Sequence, residues 1–438
     1  MNDVSSFLSG RVGPLGARVE ALVREHSALW LGLPADAPPP RRTYSRAEKK
    51  AVEKELSNLV GLLSSEEVRA SFLEGSLGPD RIEEMASGLR PTFKRLLRLI
   101  GLPLEAVYDA RFIDSTRRFL QAARDFDPGL GLASAYQALR NVWIMNSLQF
   151  DLGLPVEHTD AVFAYSMVYP YLDNMLDDAA TAETEKLAVV AKLKGWLEGS
   201  DPAPATPREE RFRALVGFIE RRFPRTAFPG VYQSLLAIYN AQVRSLLQQR
   251  LAAAPSPADV LAISLEKGGT SVLADGYLVA GRLDPADEDF CFGFGTFLQL
   301  ADDLQDIAED AARGHRTLFS AAAGRPRLDG QAAGLERYLA AVLERAEPGA
   351  TPNRAALSAA IGAGCGLMFM ESVGRHREHF SRSFVRRARA AFPVRFSYLK
   401  KLRRRLGDGL PPGRDKLADL DPGLVALMAV SSRAFALD

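Results

Sequence analysis

A chain of 438 residues can bury a large core and form anything from one sizeable domain to three, so length alone leaves the architecture open. Its 55 Lys and Arg balance 54 Asp and Glu to a formal charge of +1, which excludes an overall field that would recruit nucleic acid or acidic lipid; any charge-driven partner must be read from local patches. The two cysteines, Cys291 and Cys365, stand far apart and outside any CxxC pair, which speaks against a disulfide scaffold or a zinc site and fits a reducing compartment.

Along the chain, the amino terminus lacks the long apolar run of a secretory signal, and no stretch reaches the roughly 18 uncharged apolar residues of a membrane span. The nearest approach, Leu357 to Met370, contains three glycines and stops at Glu371. A soluble cytoplasmic protein is the expectation. Apolar residues recur at three and four in 46–63, 90–102, 117–126 and 212–223, which predicts helices, and no alternating β-branched run is long enough for a sheet. Breaks are predicted at Pro38–Pro40, Gly199–Pro207, Pro255–Pro257, Gly324–Gly330 and Pro411–Gly413. The expected fold is all-α, with a helical N-terminal extension over 1–125, a helical bundle over 126–410 and a C-terminal tail over 411–438.

In AVFAYSMVYPYLDNMLDDAAT, Asp173 and Asp177 stand four apart and project from one helical face, with Asn174 and Asp178 as a second such pair beside them. Pro170 is expected to bend this helix just before its aspartates. A solvated face is the ordinary fate of such a pair, but Tyr165, Tyr169, Tyr171, Leu172, Met175 and Leu176 give the segment the apolar content of a buried helix, where carboxylates need partners or a metal. Further on, FLQLADDLQDIAEDAARGHRTLF puts Asp302, Asp306 and Asp310 at i, i+4 and i+8, a predicted stripe along one helical face, flanked by Asp303 and Glu309. Arg313, His315 and Arg316 follow, where cations suit a helix C-terminus and can grip phosphate; Asp310 and Arg313 also read as ordinary surface partners. Two buried helices with carboxylates at one-turn spacing can face each other in a bundle and hold metal. No histidine has a Glu three residues before it, so ligation is expected from oxygen alone, with Mg²⁺ the cation that suits it. Between the clusters, Lys267 precedes Gly268, Gly269 and Thr270, a segment that reads either as a close approach to phosphate or as a helix kink.

These residues resemble a known superfamily. FLQLADDLQD resembles the second aspartate-rich motif of the trans-isoprenyl diphosphate synthases, Lys267 with GGTS resembles the lysine segment before it, and YLDNMLDD resembles the first DDxxD motif with Asn174 in its second acidic place. That first motif is also similar to the one in bacterial large-terpene synthases related to tetraprenyl-curcumene synthase. The likeness spans about residues 130 to 320 and implies the class I isoprenoid synthase helical bundle. It also implies a cluster of three Mg²⁺ ions, with Mn²⁺ as a substitute, and an allylic prenyl diphosphate as substrate. Carried over, Asp173, Asp177, Asp302 and Asp306 would bind the metals, with Asp178 and Asp310 beside them, while Lys267, Arg313 and Arg316 would hold the diphosphate. Paired arginines after the first motif and a GGKR-like segment, which bind isopentenyl diphosphate in chain-elongating members, are missing here. The resemblance therefore implies a terpene synthase that ionises one diphosphate and ends in cyclisation or elimination. QLADDLQDIAEDAARGHR is also similar to the second motif of phytoene and squalene synthases, so a prenyltransferase, by chain elongation or head-to-head condensation, stays open.

Tyr165, Tyr169, Phe294 and Phe297 are candidates for lining a carbocation cavity, with core packing as the other reading, and Asn240, Arg244 and Gln248 at helical spacing are candidates for polar contacts to phosphate. RSFVRRARAAFPVRFSYLKKLRRRL reads first as solvated helices, second as a surface resting on anionic lipid, and third as a lid over diphosphate. A homodimer and peripheral membrane contact are the expected associations, and no nucleic acid is.

Overall fold

A computed structural model of the chain describes residues 13–40, 42–63, 91–103, 107, 109–177, 181–250, 256–322, 327–346 and 351–407. Among them the regular elements are helical and none is a strand, as the apolar spacing predicts. In chain order they are α1 (Gly13–Gly32), α2 (Arg46–Leu63), α3 (91–100), α4 (Ala110–Phe126), α5 (Leu132–Asp151), α6 (Asp160–Asp177), α7 (Glu183–Glu198) and α8 (Pro207–Arg222). There follow α9 (Pro229–Arg250), α10 (Pro257–Ala280), α11 (Pro285–Gln305), α12 (Ile307–Arg313), α13 (Asp329–Arg345), α14 (Pro352–Arg375), α15 (Arg382–Ala391) and α16 (Phe396–Gly407).

Four helices start with the same local device. Thr206, Ser256, Asp284 and Thr351 each accept a bond from a backbone N–H of the first turn, and a proline stands directly after each. The cap satisfies a donor that the helix cannot, and proline gives up an N–H that would have been an orphan there. The predicted break at Pro255–Pro257 is thus a helix start, with Ser256 and Asp259 bonding each other's backbone as a capping box.

The chain forms two compact units, each assembled from distant pieces: Met1–Pro38 with Thr159–Ala350, and Pro39–His158 with Thr351–Asp438. This differs from the linear order expected from sequence. Helix α1 belongs to the first unit, while α2, α3, α4 and α5 join α14, α15 and α16 in the second. Residues 411–438 lie outside the described residues.

In the first unit α10 and α11 pack along their length, α1, α6 and α9 lie against α10, α13 against α11, and α8 against α6. The α10–α11 crossing depends on glycine. A methyl group at Gly268 or Gly295 would run into the other's backbone, and one at Gly269 into the Phe292 ring. The GGT segment is therefore neither a kink nor a phosphate cradle; it lies inside a continuous α10 and lets two backbones approach. His26 fastens α1 to this pair: its ring is fully buried, with Nδ1 2.6 Å from the Tyr338 hydroxyl of α13 and Nε2 3.2 Å from Asp289 of α11.

In the second unit the Trp143 indole donates to Thr116 at 3.0 Å between α4 and α5, and Arg354 of α14 pairs with the buried Asp151 of α5. Tyr44 N–H donates to the Ala390 carbonyl at 2.9 Å, and Glu53 binds Arg395, which lays α2 along α15 and α16. α14 is long and apolar enough to cross a membrane, against the expectation that no segment is, and half of its most apolar window is buried within the protein. Gly362, Gly364 and Gly366 interrupt its apolar run without interrupting the helix.

Candidate functional site

The second acidic segment does not lie on one helix. α11 ends at Gln305, Asp306 takes φ −101° and ψ 16° as the junction, and α12 restarts at Ile307. The expected stripe through Asp302, Asp306 and Asp310 is interrupted at its middle member. Backbone bonds bridge the break, from Asp306 N–H to the Asp302 carbonyl at 2.9 Å and from Asp310 N–H to the Asp306 carbonyl at 2.8 Å, and all three aspartates are half-buried.

Asp303, a flanking residue by spacing, is the buried carboxylate of the segment, at 5% exposure. Ser264 Oγ of α10 donates to its Oδ2 at 3.1 Å and Gln299 Nε2 to its Oδ1 at 2.8 Å. Burial pushes its pKa up to about 7; the Gln299 hydrogen bond and the Lys267 ammonium oppose the rise, while Asp302 and Asp310 add to it. Asp310 is raised as well, chiefly by burial, with His315 pulling the other way, and it feels both Asp302 and Lys267. His315 Nδ1 stands 3.8 Å from Asp310. Three carboxylates and one ammonium thus share a neighbourhood where α10 passes the end of α11. Gly268 and Gly295 bring this about, since they let Lys267 and Ser264 approach the helix that carries Asp303.

The first acidic segment ends α6, which runs on through Pro170. It pairs antiparallel with α8: Asp160 meets Arg221 at 3.4 Å, Phe163 meets Phe218 with ring centroids 5.6 Å apart, and Tyr171 meets Phe212 at 6.3 Å. Because α6 and α11 both contact α10, the two motif helices share one partner. Asp178 and the side chains of Tyr169, Asp173 and Asp177 lie outside the described residues, so the facing of the two acidic rows is too. Among the described residues no group of three His, Cys, Asp or Glu is arranged to hold a metal. The donor set that is described is carboxylate oxygen, and Asp303 is a buried carboxyl crowded by two others, an arrangement that a hard cation would relieve.

The remaining sequence candidates separate. Lys267 is half-buried beside Asp303. Arg244 is engaged by Glu266, whose own carboxyl is raised by burial. Asn240, one turn before it, is buried, with no partner for Oδ1 among the described residues, and the Gln248 side chain lies outside them. Arg313 and Arg316 are exposed. Tyr165 is 7% exposed and Phe297 1%, both core positions, while Phe294 stacks on Phe290 at 6.1 Å.

Sequence reasoning passed over Ser264 and Gln299, which carry no chemical signal until Asp303 is seen between them. It also passed over Arg208 and Arg211. These two line a half-open cavity of about 310 Å³ with Tyr171, Asn174 and Met175, between α6 and α8. Arg208 reaches Glu185 at 3.3 Å, and the Arg211 guanidinium lies 6.0 Å from the Tyr171 ring centroid. Comparison with protein-family models and with curated proteins finds no match for this chain.

Proposed function

We propose that this protein is a class I terpene synthase, which ionises an allylic prenyl diphosphate and releases diphosphate after cyclisation or elimination. The observation that carries the reading is the gathering of Asp302, Asp303 and Asp310 with Lys267, where α10, which α6 also contacts, passes the end of α11. Magnesium bound there, held by Asp302, Asp306 and the first-motif carboxylates, would offset the negative charge that builds on the departing diphosphate. Lys267 adds a fixed ammonium for the diphosphate oxygens. Asp303, whose pKa burial pushes up to about 7, would be driven towards the carboxylate as positive charge arrives. An apolar lining around such a site would keep water from a carbocation.

The test is incubation of the purified protein with Mg²⁺ and prenyl diphosphates of graded length, followed by mass spectrometry of the products. One diphosphate should be consumed and a hydrocarbon or alcohol released. Asp302→Ala and Asp306→Ala are each expected to lower kcat/KM by about 100-fold or more. Turnover unchanged in both variants, or no diphosphate release from any substrate, would remove the reading.

The cavity of Arg208 and Arg211 favours a second reading, condensation of two prenyl diphosphates, because it offers two guanidiniums to an anion beside the first motif. A longer diphosphate formed only when isopentenyl diphosphate is added, or a product of two joined chains, selects it.

A further inference from the structure

Between Phe380 and Gly407 there are ten Lys and Arg and no Asp or Glu, in a chain whose total charge is +1. The structure describes the side chains of seven of them. α15 turns Phe384, Val385, Ala388 and Ala391 into the second unit, where Phe384 meets Phe369 of α14 and Phe380, with ring centroids 6.4 Å and 5.5 Å away. Its other face carries Arg382, Arg386 and Arg389, at i, i+4 and i+7, all exposed. Lys400 and Lys401 of α16 are exposed too.

A second basic segment, more than 300 residues away in sequence, joins this face. Lys49 Nζ donates to the Arg389 carbonyl, and Tyr44 N–H to that of Ala390, so the start of α2 lies at the end of α15. α2 adds exposed Arg46 and Lys50 there. The acidic residues of α2 are engaged elsewhere: Glu48 by Ser45 and Arg42, Glu53 by Arg395 and Glu55 by Arg95.

We propose that this composite face of α2, α15 and α16 rests on an anionic lipid membrane by electrostatic contact. The apolar residues of α15 are committed to the core, so the face has charge to offer and no wedge to insert, and the contact should be peripheral and salt-sensitive. Nucleic acid is the less suitable occupant. Single strands need exposed rings on which bases stack; here Tyr44, Phe384 and Phe392 are buried, and the half-buried Phe396 and Tyr398 are engaged, Phe396 by the Phe392 ring and Tyr398 by Ser57 and Glu53. Headgroups ask only for several cations on one side, each raising affinity roughly fivefold near an anionic surface. The inference rests on charge and burial, and stands or falls independently of the chemistry in the other unit.

The experiment is co-sedimentation of the full-length protein with vesicles of phosphatidylcholine alone or with roughly one third phosphatidylglycerol, at about 0.05 and 0.5 M NaCl. Binding is expected to the anionic vesicles at low salt only. R382E/R386E/R389E should lower it by about 100-fold or more, and R46E/K50E on α2 by at least tenfold, while R222E/R282E in the other unit leaves it unchanged. Far-UV circular dichroism melting checks that each variant is folded. The α2 variant separates a folded composite face from a merely basic C-terminal segment: if it binds like the parent, the face as drawn is wrong. Absence of binding to anionic vesicles at low salt overturns the proposal. So does single-stranded RNA that binds the parent while the anionic vesicles do not, an outcome that assigns the face to nucleic acid.

Discussion

Asp303 shows what burial does to a group that spacing treats as secondary. In the unfolded chain its carboxyl has the ordinary value of 3.8, and in the fold it is pushed up to about 7. Below both values the two states are protonated alike, and the stability that the raised value confers relative to high pH is fully present. As pH rises from 4 to 7 the unfolded chain releases a proton that the fold retains, so this contribution to stability is lost across that window and stays lost above it. In EDTA, the melting temperature of Asp303→Asn should therefore gain on the parent as pH rises from 5 to 8, by an amount equivalent to roughly 1–4 kcal/mol. Mg²⁺ should shrink the gain, because a nearby cation favours the carboxylate in the parent. A difference between the two proteins that is flat with pH would show that Asp303 titrates as an ordinary surface acid. Within QLADDLQD only Gln299, one turn before Asp303, bears on the difference from Asp302; the rest comes from Ser264 and Lys267 on another helix.

Among elements, α11 was legible as a helix from the spacing of its aspartates, whereas α10 was read only as a break at Pro255–Pro257 and as a kink or a close approach to phosphate at Gly268 and Gly269. Their crossing was not legible, because glycine is read locally as a weakness in a helix, whereas here it is the point of closest approach. The two views predict opposite signs. By intrinsic propensity, Gly268→Ala or Gly295→Ala should stabilise the helix by about 1 kcal/mol. By packing, each should destabilise by roughly 1–3 kcal/mol or more, since the added methyl group meets the backbone of the facing helix. Thermal melting of either variant decides, and a lowered melting temperature is expected. The interruption at Asp306 belongs to the same scale: three aspartates at four-residue spacing predict one stripe, and the junction between α11 and α12 re-aims the last of them towards His315.

For the whole molecule, the first 38 residues are part of a unit rather than a lead-in to one. α1 buries Leu15, Val19 and Leu22, ties His26 to Asp289 and Tyr338, and pairs Arg18 with Glu288 at 3.0 Å. Asp36, just beyond it, pairs with Arg337 at 2.9 Å. Deleting residues 1–38 should therefore cost the protein its cooperative melting, or lower the melting temperature by about 10 °C or more. An unchanged melt would return α1 to the status of a dispensable extension. The second unit closes in the same way around distant pieces, through Asp151 with Arg354 and Glu53 with Arg395.

What the chain determined by itself is the information carried within a few residues: the apolar spacing that makes α2, α4 and α8 helical, the cap and proline that start four helices, and the one-turn spacing of the aspartates. These follow from backbone geometry and nearest neighbours, and the apolar spacing made the all-α class readable. Tertiary structure decided which aspartate is buried, what the glycines are for, which helices share a unit, and that two basic segments present one face. Each of these depends on groups hundreds of residues apart meeting through burial and hydrogen bonding, and periodicity along one strand of sequence carries no term for such a meeting.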